Sequence, residues 1–152
     1  MREHMGLYRG KRVDNGEWVE GYYVRLFDGK GNVSHRIYNG YAETDCGEFY
    51  PDWFEVDPDT VGECTGLQAN GKLIFEGDIV RQHGLKWLVG YQKGTFACID
   101  EKNEMLFAFF EQYDFYKGEY RFPDTFEIIG NINDNPELVE EMKGENNGQQ
   151  SI

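Results

Sequence analysis

Residues 65–80, TGLQANGKLIFEGDIV, compress two turns and two short apolar runs into one segment, a punctuation suited to an antiparallel sheet. Asn70-Gly71 is the first turn: a type I′ hairpin needs positive φ at both central residues, which Asn tolerates and Gly adopts freely. Leu73, Ile74 and Phe75 then read as a strand. Glu76-Gly77-Asp78 breaks it with a second corner, where Gly takes a backbone closed to other residues and the Asp carboxylate accepts from nearby amides. Ile79 and Val80 restart the sheet.

The same grammar runs along the rest of the chain. Residues 7–13 enter as a strand, and Asn15-Gly16 turns them onto Glu17-Trp18-Val19-Glu20, where alternation puts Trp18 opposite Glu17 and Val19. Gly21 is expected as a corner, followed by strands at residues 22–27 and 33–38 around an Asp28-to-Asn32 turn. Residues 40–51 show weak patterning and read as an exposed loop, and residues 53–56 as a short strand. Asp57-Pro58 is a turn, because Pro presets φ and Asp bonds forward to the backbone. Residues 86–91 and 95–99 form a meander around Gln92-Lys93-Gly94, and residues 105–110 suit a buried strand. Residues 111–122 fit a helix or an extended segment equally well. Phe126, Ile128 and Ile132 share one face of a last strand expected at the sheet centre, with Gly130 admitting a close neighbour. Asn135-Pro136 then reads as N-cap and first position of a helix ending at Lys143-Gly144. The resulting class is mainly β with a short C-terminal helix: meandering hairpins in one or two small barrel-like, SH3-like modules. The expected division is residues 1–60, residues 61–143 and a polar, disordered tail at residues 144–152, with a linker near 57–64; the alternative is packing as one compact unit. The resemblance between residues 15–24 and 70–80 reads either as an internal repeat or as two hairpins obeying one turn chemistry.

Composition agrees with this class. Aromatic residues make up 16% of the 152-residue chain and 19 residues are Gly, which favours pleated surfaces and tight turns. No apolar run is long enough to span a bilayer and the first residues lack a hydrophobic signal, so a soluble protein is expected, in the cytoplasm of a bacterial host. Three cysteines, Cys46, Cys64 and Cys98, are odd in number and widely spaced, which suits a reducing compartment. The net charge is −13, but residues 1–40 carry seven basic and five acidic side chains, leaving −15 on residues 41–152. So acidic a chain repels nucleic-acid phosphates, whose binding depends on Lys and Arg releasing counterions, and direct nucleic-acid binding is not expected. Solubility alone also accounts for such a charge.

No residue pattern announces catalysis. His4, His35, His83 and the cysteines lack metal-ligand spacing, so neither a metal nor a cofactor is expected. Ser34 and Ser151 stand in no nucleophile elbow, and Gly29-x-Gly31 precedes no helix whose amides could hold a phosphate. Cys64 is the best-placed nucleophile by default, but a small buried cysteine is the commoner role. Asp78 stands out among the carboxylates because Gly77 fixes its corner, and there structural capping outweighs catalysis. No catalytic residue is assigned.

Six short stretches in three places carry a family resemblance: YRGKR with NGEWVEGY near the start, TGL with EGDIV in the middle, and FEIIGNI followed by NPEL near the end. Together they resemble the YopX family over nearly the whole chain. The resemblance implies a phage or prophage origin and a mainly β fold, and it carries over no catalytic residues. Residues 101–122 match none of its pattern. The expected function is a noncatalytic module that binds a host or phage protein through exposed aromatic and acidic surface, as a homo-oligomer or not. The alternatives are an acidic DNA mimic that occupies a host nucleic-acid enzyme, and a small phage enzyme whose site follows no recognised motif.

Overall fold

In the computed structural model the described residues are 4, 6–82, 84–100, 105–108, 113–114, 116, 118–120 and 126–149. They form antiparallel sheets and one helix, and the chain divides into two compact units, Met1–Cys64 and Thr65–Ile152.

The first unit contains β1 (Tyr8–Lys11), β2 (Trp18–Phe27), β3 (Val33–Glu43), β4 (Phe49–Glu55) and the start of β5 (Gly62–Ala69), in the order β4-β3-β2-β1-β5. Its core is Val19, Ile37 and Val56, with Tyr8, Tyr23, Phe54 and Val61 against them. All but Val61 alternate onto one face of the sheet, as the registers Gly10 to Val19, Tyr23 to Ile37 and Ile37 to Phe54 require. Two expectations fail here. Gly21 is no corner: β2 runs straight through it, and a Cβ there would collide with the Tyr38 carbonyl oxygen. Residues 40–51 are no loop either: they belong to a long β3–β4 ribbon closed by a turn in which Thr44 N–H donates to Glu48 C=O at 2.8 Å. A bulge between Tyr38 and Gly40 breaks the period-two pattern, which is why the strand escapes periodicity. Pro58–Thr60 forms a 3₁₀ turn after Asp57, whose side chain accepts from Asp59 N–H.

In the second unit β5 continues and pairs β6 (Lys72–Phe75) across the Asn70-Gly71 turn, where φ is 50° and 78° as a type I′ turn requires. β7 (Asp78–Gln82), β8 (Leu85–Gln92), β9 (Thr95–Ile99) and β10 (Met105–Ala108) follow, and β13 (Glu127–Asn131) completes the sheet β10-β9-β8-β7-β13. Between them lies a small pair, β11 (Tyr113–Asp114) and β12 (Glu119–Tyr120). Of residues 111–122 these strands are extended, and the others, apart from Tyr116 and Gly118, lie outside the described residues, as do Phe109 and Phe110 of the expected strand. The core gathers Ala69, Ile74, Val80, Val89, Cys98 and Phe126.

β13 lies at the sheet edge rather than its centre, and the exposed Arg81–Glu127 pair joins it to β7. The neighbour that Gly130 admits is Asn135, whose side chain turns back to accept from Asn131 N–H at 3.2 Å instead of capping the helix. The helix α1 (Pro136–Gln149) continues past its expected end at Gly144, so residues 144–149 of the expected disordered tail are helical. Lys86 explains part of this: its Nζ pairs with Glu141 at 2.7 Å and Glu145 at 3.0 Å, tying the second half of the helix to β8.

Both units are mainly β, but the expected barrels do not close. In the first unit one bridge, Arg12 to Val56, returns the end of β4 to the end of β1, with Val13 N–H donating to Glu55 C=O and Asp57 N–H to Lys11 C=O. No ladder extends it among the described residues. The two look-alike stretches also part here: Gly77 is a true turn at φ 88°, whereas Gly21 lies inside a strand. No described helix is long and apolar enough to cross a membrane.

Candidate interaction surface

The residues singled out for chemistry do not converge. Cys64 is buried in β5, and its N–H donates to Leu7 C=O at 2.8 Å. Cys98 is buried in the other core, where desolvation pushes its thiol well above the ordinary range. Asp78 is 1% exposed and its carboxylate accepts from Phe75 N–H at 2.8 Å, the turn-capping role that the Gly77 corner suggests. His35 shares a 2.6 Å hydrogen bond with the Tyr23 hydroxyl, and its ring stacks on Tyr23. His83 lies outside the described residues. Among the described residues no three His, Cys, Asp or Glu side chains gather where they could hold a metal.

What does converge is the sheet face of the first unit turned away from its core. Tyr22, Tyr38 and Trp53 lie side by side across β2, β3 and β4, because Tyr22 is in register with Tyr38 and Tyr38 with Trp53. Beyond the bulge the same face continues with Tyr41 opposite Pro51 and Glu43 opposite Phe49. Tyr22 is 65% exposed, Tyr41 74% and Phe49 66%. Side chains of this size outside a core form an apolar patch of the kind that marks a binding surface.

Electrostatics give the patch a sign. Residues 37–71 contain no Lys or Arg, and residues 41–64 alone hold eight acidic side chains. Glu43 and Glu55 alternate onto the aromatic face itself. Where a cation is in reach, the rings take it: the Arg36 guanidinium lies 3.7 Å from the Trp53 ring centroid, and Arg9 lies 4.8 Å from that of Trp18. At the ribbon tip the Thr44 hydroxyl lowers the pKa of the exposed Cys46 thiol, and the hydrogen bond to Glu48 raises that of Tyr50.

The outer edge of β4 is poorly suited to a further strand. Val56 N–H bonds inward to His35 C=O, so Phe49, Pro51, Trp53 and Glu55 present their backbones outward. Pro51 has no N–H there, and Glu55 C=O is already engaged by Val13. The face, not the edge, is what the ribbon offers.

The family model for "YopX protein" matches residues 7–140. The chain belongs to the YopX family. The match takes in the whole aromatic ribbon, so this surface lies within the YopX region of the chain. No curated protein matches the YopX chain.

The outer half of the ribbon is absent from the sequence expectations, which place strands at residues 33–38 and 53–56 but read residues 40–51 as a loop. A usable signal was present: Tyr22, Val24 and Leu26 alternate as an apolar row on the face opposite Tyr23, so both faces of the strand carry large side chains, which a strand buried on one face alone would not.

Proposed function

We propose that this YopX-family protein is a noncatalytic interaction module of a phage or prophage, acting in the bacterial cytoplasm. The observation that carries the reading is the exposed aromatic face of β2–β4, bordered by carboxylates, with Arg36 stacked on Trp53 and Arg9 and Lys11 over Trp18. Exposed aromatics supply contact area at low entropic cost, and the surrounding charge steers a basic partner and repels nucleic acid. The partner is a host or phage protein with a basic surface, and self-association through the same face fits this chemistry less well because both copies carry the same sign. The cation-free run also supports the DNA-mimic form, in which the basic partner is a nucleic-acid enzyme.

The test is affinity capture from a bacterial lysate with wild type and with a Tyr22→Ser/Tyr41→Ser/Phe49→Ser variant. The reading expects a discrete protein held by the wild type and lost by the variant, and no shift of duplex or single-stranded DNA at physiological salt. Competition between that protein and DNA would select the mimic form. Submicromolar DNA binding that survives moderate salt would sink the interaction reading.

A further inference from the structure

We infer that the aromatic face of β2–β4 recognises an extended, arginine-bearing segment of a protein partner, seated across Tyr22, Tyr38 and Trp53 and along to Tyr41 and Phe49. This rests on the interaction reading above and names what the face selects.

Three observations carry it. The first is a contact within the chain: Arg36 on Trp53 and Arg9 on Trp18 are guanidinium-on-ring stacks, so this sheet already accommodates planar cations on its aromatics. Tyr22, Tyr41 and Phe49 belong to the same face and carry no such cation among the described residues, which leaves three ring faces open to one from outside. The negative face of an aromatic ring attracts a cation, and guanidinium, planar and weakly hydrated, stacks with a smaller desolvation cost than ammonium.

The second is charge complementarity. Glu43 and Glu55 alternate with the rings on this face, and no Lys or Arg occurs in residues 37–71. A guanidinium lying on a ring therefore has a carboxylate on the same surface to pair with its N–H groups. A phosphate would meet the same carboxylates as repulsion.

The third is geometry. An extended chain repeats its side chains on one side every ~6.7 Å, the same spacing as alternate residues along β3 and β4, so arginines of a segment laid along the ribbon come into step with successive side chains of this face. Addition of the segment as a further strand is disfavoured at β4, where Pro51 lacks a donor and Glu55 C=O is engaged. Side chains, rather than a backbone ladder, provide the recognition.

The test is fluorescence anisotropy of the full chain at physiological salt with three labelled probes: a peptide of alternating Arg and Ser, its Lys counterpart, and oligo(dT). The wild type should bind the Arg peptide, and the Lys peptide about threefold more weakly, as expected for the weaker stacking of ammonium. The Tyr22→Ser/Tyr41→Ser/Phe49→Ser variant keeps the net charge and should lose about tenfold or more in affinity for the Arg peptide, the sum of three exposed cation–π contacts. Phe27→Ser, an equally exposed ring on the opposite face, should change nothing. Single Tyr41→Ser, with an unchanged circular dichroism spectrum, guards against a fold defect in the triple variant and should lose part of the affinity. Equal Arg-peptide binding by wild type and the triple variant would overturn the arginine inference, since net charge alone would then explain it; the lysate capture still decides the interaction reading. Tighter binding of oligo(dT) than of the Arg peptide would overturn both.

Discussion

Gly21 lies in β2 against β3, and a Cβ there would meet the Tyr38 carbonyl oxygen and the Ile37 side chain. Gly21→Ala should therefore cost about 1–3 kcal/mol through forced strand separation, read as a lower urea midpoint. An unchanged midpoint would show that the strands separate freely. Asp78→Ala leaves the Phe75 N–H buried without that acceptor and should cost about 1–3 kcal/mol, with Asp78→Asn recovering part because its carbonyl still accepts. The thiols make a contrasting pair. Cys46 is exposed with its pKa lowered by Thr44, whereas Cys98 is buried with its pKa raised, so an aromatic disulfide reagent near neutral pH should label Cys46 first and Cys98 only on unfolding. Asp78 was legible in the sequence because its amide partner is three residues away. Gly21 was not, because what makes it necessary is a carbonyl on another strand.

Among elements, the same divide separates what the sequence could and could not specify. The turns at Asn70-Gly71 and Lys93-Gly94 are local, and both residues of each pair take positive φ. Gly71→Val should cost about 1–2 kcal/mol by forcing a β-branched residue into the left-handed region, and coincident urea midpoints would contradict the turn. Residues 33–38 and 53–56 read as strands, but the outer half of the β3–β4 ribbon, residues 40–51, did not, because a bulge shifts its register and its aromatic face looks to solvent instead of a core. The edge position of β13 depends on pairing with β7 alone, which local pattern does not encode. Helix α1 outruns its glycine through contacts that are distant in sequence. Hydrogen bonds from Lys86 to Glu141 and Glu145 raise the lysine pKa in the folded state. A raised folded pKa stabilises the helix fully below the unfolded value, about 10.4, and that contribution is lost as pH rises through the folded value. Helical circular dichroism should therefore fall on alkaline titration in wild type, and Lys86→Gln should remove that step while lowering helicity slightly at neutral pH. Identical titrations would show that the pairs do not hold the helix.

At the scale of the whole molecule, charge is unevenly distributed: the first 40 residues are mildly basic, and residues 41–152 carry −15. The mainly β class and YopX membership follow from turn grammar and short motifs, both available before any coordinates. The interaction surface needed the registers, since Tyr22, Tyr38, Trp53, Tyr41 and Phe49 come from three strands and become neighbours only through pairing. The most direct test of that surface is a backbone-amide NMR titration of the full chain with the alternating Arg-Ser peptide at physiological salt. If the aromatic face is the binding surface, the largest shift changes fall on β2, β3 and β4 around Tyr22, Tyr41, Phe49 and Trp53, while β7, β8 and β9 stay still. Changes concentrated on α1 and its carboxylates, with the ribbon unmoved, would contradict it.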